Sequence, residues 1–217
     1  MLSTKVKASA ITHLTDARYF AAWGVRWMGF NLSPGDDTYI APMQVNAIKE
    51  WVDGPLITGE FGASQSSEDI RAGIELLDLD VVQVDTLTSL ATIQELDQQV
   101  PVIKEWVVDE GTDLFMLQED LFNFAPHCEA LLLNFTKGGL SWADIGQTAP
   151  LDQDELLRWA EHFPLLLEID FGDVDAADLL TELPLYGISV RGGEEEKVGY
   201  KSFDEIDTLF EQLEVAR

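Results

Sequence analysis

Basic residues are scarce in this chain. Thirteen lysines and arginines stand against 40 aspartates and glutamates, a formal charge of −27 at pH 7. So acidic a surface repels phosphate backbones and anionic lipid headgroups, so neither nucleic acid nor a membrane is expected as a partner. The imbalance favours solubility and adds self-repulsion to the folded state, which salt screens. A high-salt habitat is one setting that would explain it. Cysteine is nearly absent: with Cys128 alone, no disulfide can close within the chain. The three histidines, His13, His127 and His162, lack metal-ligand spacing, so no metal site is expected from them. No run of roughly 18 or more apolar residues suggests a membrane-spanning helix. The first twenty residues lack the apolar centre of a secretory signal. A cytoplasmic protein is the expectation.

What is present is an alternation. Eight short apolar runs occupy residues 6–11, 26–32, 55–61, 80–85, 100–108, 129–135, 163–170 and 186–192. Several are continuous, as in strands buried on both faces of a parallel sheet. Amphipathic stretches follow them. Asp16 to Gly24 has Thr15 as a candidate N-cap and Gly24 as its stop. Met43 to Val52 follows the helix-starting Pro42. Ser67 to Leu77 carries Ile70, Ile74 and Leu77 on one face. Leu87 to Leu96, Asp113 to Phe124, Asp152 to His162, Ala176 to Leu183 and Phe203 to Val215 complete the set. Thr136 to Pro150 is the longest irregular stretch. Eight strand–helix units in 217 residues predict a single-domain (β/α)8 TIM barrel over residues 1–217. An open doubly wound sheet is the runner-up, weakened because no G-x-G-x-x-G follows the first strand.

In such a barrel the chemistry sits at the C-terminal ends of the strands. That rule selects Ser9 to Thr12, Asn31 to Asp37, Glu60 to Ser64, Asp85, Trp106 to Asp109, Asn134 to Ser141, Glu168 to Gly172 and Arg191 to Glu196. Lys7 and Lys104 lie on strands and, as interior lysines, are expected to pair with Glu105, Glu168 or Asp170 or to serve a ligand. Asp85, Glu168 and Asp170 are candidates for a carboxylate cluster, or else for a solvated acidic rim. Glu194 to Glu196 reads as a solvated loop. Trp23, Trp27 and Trp51 read as packing, and Cys128 as a buried small apolar residue.

Val6-Lys7-Ala8-Ser9-Ala10-Ile11-Thr12 with Asp16-Ala17 resembles the V-K-I-C-G-I-T…D-A opening of phosphoribosylanthranilate isomerase. Gly24 and Gly29-Phe30, Ser33-Pro34 with Tyr39-Ile40, Val82-Gln83-Val84-Asp85, Pro101 to Lys104, Ala130 to Asn134, Gly138-Gly139, Gly187 to Gly193 with Glu195, and Gly199 with Lys201 continue the resemblance in order. It implies the same barrel and an Amadori rearrangement without metal or cofactor. A cysteine would be base on the sugar carbon and an aspartate acid on the ring oxygen. Backbone amides after strands seven and eight would hold a phosphate, and an arginine after strand two the anthranilate carboxylate.

Carried onto this chain, the functional positions differ. The base falls on Ser9, a far poorer base than a thiolate. The acid falls on Asn134, whose amide donates hydrogen bonds but is no general acid. The arginine falls on Gly35 or Thr38, according to the gap. The glycine-rich phosphate turn falls on Glu168-Ile169-Asp170-Phe171, which brings carboxylates where glycine would let backbone approach phosphate. Arg191, Gly192 and Gly193 remain as an anion-binding candidate. The catalytic positions are therefore Ser9 and Asn134, both substituted. The ligand-binding set is Lys7, Asp85, Glu168, Asp170, Arg191, Gly192 and Gly193. The resemblance implies a small anion or sugar phosphate at the mouth, and a monomer or homodimer. Three functions remain open: a divergent barrel with isomerisation lost or much reduced, an active isomerase, and a non-catalytic binding or regulatory barrel.

Overall fold

The computed structural model describes residues 1–192, 195–197, 200–201 and 203–215. Eight strand–helix units follow one another: β1 (Lys5–Ser9), α1 (Leu14–Trp23), β2 (Trp27–Asn31), α2 (Pro42–Lys49), β3 (Leu56–Phe61), α3 (Ser67–Leu77), β4 (Val81–Val84), α4 (Leu90–Leu96), β5 (Val102–Val107), α5 (Leu114–Phe124), β6 (Ala130–Asn134), α6 (Gln153–His162), β7 (Leu165–Glu168), α7 (Ala176–Glu182), β8 (Gly187–Arg191) and α8 (Asp204–Gln212). The eight strands close into one barrel, each parallel to its neighbours, with β8 returning to β1. The expected TIM barrel is what the chain adopts. Between β8 and α8 lies a two-stranded antiparallel ribbon, β9 (Glu195–Lys197) and β10 (Tyr200–Lys201), which the apolar pattern does not reveal.

Burial explains the continuous apolar strands. In a run such as Leu131-Leu132-Leu133, alternate side chains face the barrel interior and the helix layer, and all three are buried. Trp27, Val81, Ile103, Ala130, Leu132 and Leu166 form a cluster inside the barrel. A larger cluster, with Val6, Phe20, Val45, Ile93, Leu121 and Phe210 among its members, fills the space between barrel and helices. Gly187 permits closure between β8 and β1, because a side chain there would overlap the carbonyl oxygen of Lys5.

The helix ends show which local signals worked. Gly24 stops α1 in the left-handed conformation, with φ of 75°. His13, not Thr15, stands at the N-cap of α1, and its side chain makes no capping bond. Ser66, Ser89, Asp113, Asp152 and Asp175 cap the helices that follow them, each accepting from a first-turn N–H. The segment after β6 is ordered partly by a short 3₁₀ helix, Trp142–Asp144.

The pairing register sets the levels of the barrel interior. Strands tilt, so alternate strands contribute inward residues at one height. Lys7, Thr58, Ile103 and Leu166 share one level. Above it, even strands supply Gly29, Gln83, Leu132 and Ser189. The next level belongs to odd strands again: Ser9, Glu60, Glu105 and Glu168. Three of those four are carboxylates, and they form the floor of the mouth.

Candidate functional site

β1 sends Lys7 and Ser9 inward by its two-residue alternation. Lys7 is fully buried. Its Nζ donates to Ser9 Oγ at 2.7 Å and forms an ion pair with Glu60. Gly29 makes that pair possible, since a Cβ there would overlap Glu60 Oε1 and lie 2.9 Å from Lys7 Nζ. The other oxygen of Glu60 accepts the Ala10 N–H at 3.1 Å. Ala10 itself sits at φ of 53°, an uncommon conformation for a residue with a side chain.

The hydroxyls form a directed chain. Ser189 Oγ donates to Glu168 Oε2 at 2.6 Å, which spends its one proton. Ser9 Oγ, 2.8 Å from Ser189 Oγ, is then the donor of that pair. Ser9 thus accepts from an ammonium and donates to a hydroxyl. Asn134 is equally committed. Its Nδ2 donates to Glu105 Oε1 at 2.7 Å and to Glu168 Oε1 at 3.0 Å, and its Oδ1 accepts the Lys137 N–H at 2.9 Å.

Each carboxylate of the floor has its own cation: Glu60 has Lys7, Glu105 has Lys137 and Glu168 has Arg191, the last two at 2.8 and 3.0 Å. Burial opposes ionisation of Glu168. Arg191, the Ser189 hydroxyl, Lys7 and Lys137 outweigh it and hold the carboxyl below the usual carboxylate range. The mouth is therefore charge-balanced in spite of the acidic chain around it.

The sequence-predicted residues fall into two groups. Lys7, Ser9, Asn134, Glu168 and Arg191 converge in this network. Asp85 and Asp170 do not. Asp85 turns back on its own loop, accepting from Leu87 N at 3.2 Å and Thr88 Oγ1 at 3.1 Å. Asp170 accepts the N–H of Gly172 at 2.9 Å. The Asp85–Glu168–Asp170 cluster is not formed, and among the described residues no group of three or more His, Cys, Asp or Glu is arranged to hold a metal ion. Gly192 lies half-buried just after β8, while Gly193 and Glu194 lie outside the described residues. Lys104 corrects another expectation. It points outward into the helix layer, where Nζ bonds the carbonyls of Asp85 and Thr88 and lies 5.3 Å from the Phe124 ring centre.

Glu60, Glu105, Lys137 and Ser189 carry the network, yet sequence reasoning gave a role only to Glu105, as a partner for an interior lysine. Three of them lay within the strand-end windows or among the expected partners of an interior lysine. The signal that singles them out is two-residue spacing inward from known interior positions, which requires the register. Beside the network opens a cavity of about 570 Å³ between the β7 and β8 ends and α8, with Ile169, Phe171 and Val190 as apolar wall and Asp170, Asp173 and Arg191 as charged lining. Its size is that of a small-molecule site.

No protein-family model matches the chain. An N-(5'-phosphoribosyl)anthranilate isomerase from Synechococcus is 27% identical over 218 residues, covering 96% of this chain and 89% of that protein. The crystal structure of the phosphoribosylanthranilate isomerase of Thermotoga maritima superposes with a TM-score of 0.78 at 21% identity, covering 97% of this chain and 98% of that one. The Thermus thermophilus enzyme gives 0.74 at 24% identity over the same shares.

The chain resembles phosphoribosylanthranilate isomerase. The solved structures share its fold, and the Synechococcus relative extends the likeness to sequence along nearly the whole chain. In this isomerase-like barrel, the positions on which the resemblance places base and acid are Ser9 and Asn134, and the structure puts both in one buried network.

Proposed function

We propose that this is a divergent phosphoribosylanthranilate isomerase-like barrel in which the Amadori isomerisation is lost or much reduced. The observation that carries the reading is the commitment of Ser9 and Asn134 to this hydrogen-bond network. Isomerisation needs a group that takes a proton from the sugar carbon and one that gives a proton to the ring oxygen. Ser9 has its lone pair against Lys7 and its proton committed to Ser189. Asn134 has both amide functions bonded and no proton to transfer. Glu168 is the carboxylate within hydrogen-bond reach of both, and its lowered pKa keeps it ionised, the wrong state for an acid at neutral pH. Phosphate binding suffers as well. The Gly172 amide, which would face a phosphate in a glycine-rich turn, already serves the Asp170 carboxylate.

Turnover of phosphoribosylanthranilate by the purified protein, and rescue of a tryptophan-requiring bacterium lacking the isomerase, test the proposal together. Neither is expected. Turnover comparable to that of an authentic isomerase would overturn it. The double substitution Ser9→Cys with Asn134→Asp is likewise expected to stay inactive, because Asp170 still occupies the turn and a new aspartate would face Glu105 and Glu168.

A second reading has a specific observation behind it. Glu105 and Glu168 flank Asn134 and share its amide nitrogen, so two carboxylates stand where the resemblance places one. Retained isomerisation through them predicts measurable turnover that Glu105→Gln and Glu168→Gln each abolish.

A further inference from the structure

The cavity between the ends of β7 and β8 and helix α8 has a lining of two kinds. Phe171, Val190, Ile206 and Leu209 give it an apolar wall, and Asp170, Asp173 and Arg191 bring charge to it. Asp170 commits Oδ1 to the Gly172 N–H. Its Oδ2 and the whole Asp173 carboxylate have no partner among the described residues. Arg191 donates from Nε to Glu168 Oε1, and among the described residues its terminal nitrogens donate to nothing.

The strands set these groups beside one another. Asp170 and Arg191 each lie three residues past Leu167 and Ile188, which pair across β7 and β8. They therefore leave the barrel at the same height. The turn that carries Asp170 is held from its other side, where the Asp170 carbonyl accepts the Trp142 N–H at 2.8 Å. A seat for positive charge and a seat for negative charge thus adjoin at the rim of an apolar space of about 570 Å³. A ligand that uses all of it carries an ammonium, a carboxylate and an apolar body. An α-amino acid has the first two on one carbon, and both are charged at neutral pH. Its carboxylate matches the planar edge of a guanidinium. Exposed ion pairs are weak singly, so burial of the side chain against the apolar wall supplies the larger share of affinity. Inorganic phosphate would use Arg191 alone, meet two aspartates and leave the wall uncovered. A simple amine would leave Arg191 unused.

We infer that this cavity binds a free α-amino acid with an apolar side chain, its carboxylate on Arg191, its ammonium on Asp170 and Asp173, and its side chain against Phe171, Val190, Ile206 and Leu209. The inference rests on the proposed loss of phosphate binding at the Asp170 turn. Calorimetric titration of the protein with L-leucine, L-methionine and L-phenylalanine at neutral pH tests it. At least one is expected to bind saturably at one site per chain. The N-acetyl derivative of that amino acid lacks the ammonium and its methyl ester lacks the carboxylate, and each is expected to bind about tenfold more weakly or worse. Inorganic phosphate at the same concentrations is expected not to displace it. Asp170→Asn combined with Asp173→Asn removes both negative charges and keeps an oxygen for the Gly172 N–H, so it is expected to weaken binding by a similar factor. Absence of saturable binding by all three amino acids overturns the inference. So does equal binding of the N-acetyl or ester form, tighter binding of phosphate, or undiminished binding by the folded double variant. Should that variant not fold, the ligand series on the unmodified protein decides alone. Isomerase turnover is scored separately: no amino-acid binding and no turnover removes this inference and leaves the proposed function, whereas turnover alongside intact amino-acid binding removes the proposed function alone.

Discussion

Glu168 is buried and ionised at the same time, a combination that depends on its partners. Replacing it with glutamine leaves Arg191 facing a neutral amide and disturbs the bonds from Ser189 and Asn134. A loss of about 3 kcal/mol of stability at neutral pH is expected, read by urea unfolding. The pH dependence has a definite sign. A carboxylate held below its unfolded value contributes stability that is complete above that value, about 4.3, and vanishes as pH falls through the folded one. The unmodified protein should therefore lose stability below about pH 4.3, and Glu168→Gln should lose less over the same range. Lys104 works in the opposite sense. Burial pushes its ammonium down to about 8, against the attraction of Asp85, Asp120, Cys128 and Glu105. Its folded form binds fewer protons than the unfolded chain between pH 8 and roughly 10.4, so its contribution makes stability rise with pH there, by at most about 1.4 kcal/mol per unit. Lys104→Met should flatten that rise. What the sequence shows at this scale is uneven. Ser9 and Asn134 are found from the resemblance and from strand-end position. The Lys7–Glu60 pair joins residues 53 apart, and only strand register brings them together.

Elements were easier to read than contacts. Seven of the eight strands fall inside the apolar runs and β1 begins one residue ahead of its run, because burial on both faces keeps most strand positions apolar. Helix starts depended on caps: Asp113 accepts from Phe115 N and Met116 N at 2.9 and 3.1 Å, and Asp113→Ala should cost about 1 kcal/mol in urea unfolding. At α1 the same logic favoured Thr15 and failed, because the helix begins two residues earlier, after a residue that makes no side-chain cap. The β6–α6 connection is set by Gly138. A side chain there would overlap the Val108 carbonyl, so Gly138→Ala must move the loop that carries Lys137. Lys137 is then expected to leave Glu105. A thermal-unfolding loss equivalent to about 1–3 kcal/mol is the measurable result. The β9–β10 ribbon was not legible, since a strand of two or three polar residues has no apolar pattern to display.

At the scale of the whole molecule, two charge distributions coexist. The mouth pairs each of its three carboxylates with a cation, while the chain carries −27 in all. The excess therefore lies outside the mouth, where residues such as Glu68, Glu110, Asp154, Asp173 and Glu182 are exposed. Exposed like charges repel over a distance that salt controls, about 30 Å at 0.01 M ionic strength and about 3 Å at 1 M. Buried pairs are screened far less. The two populations should separate in a salt titration. Raising NaCl from about 0.01 to 1 M should increase the Tm by screening the outer charge. The stability lost on Glu168→Gln should change less than that across the range, because Glu168 itself is buried, although its partner Arg191 is exposed. Trimethylamine N-oxide, which stabilises by exclusion and carries no net charge, provides the control for solvent effects unrelated to screening. A Tm that does not respond to salt would mean that the outer carboxylates are already compensated in the folded state. A Glu168→Gln effect that collapses at high salt would mean that the mouth is open to ions, contrary to the burial of Lys7, Glu105 and Glu168.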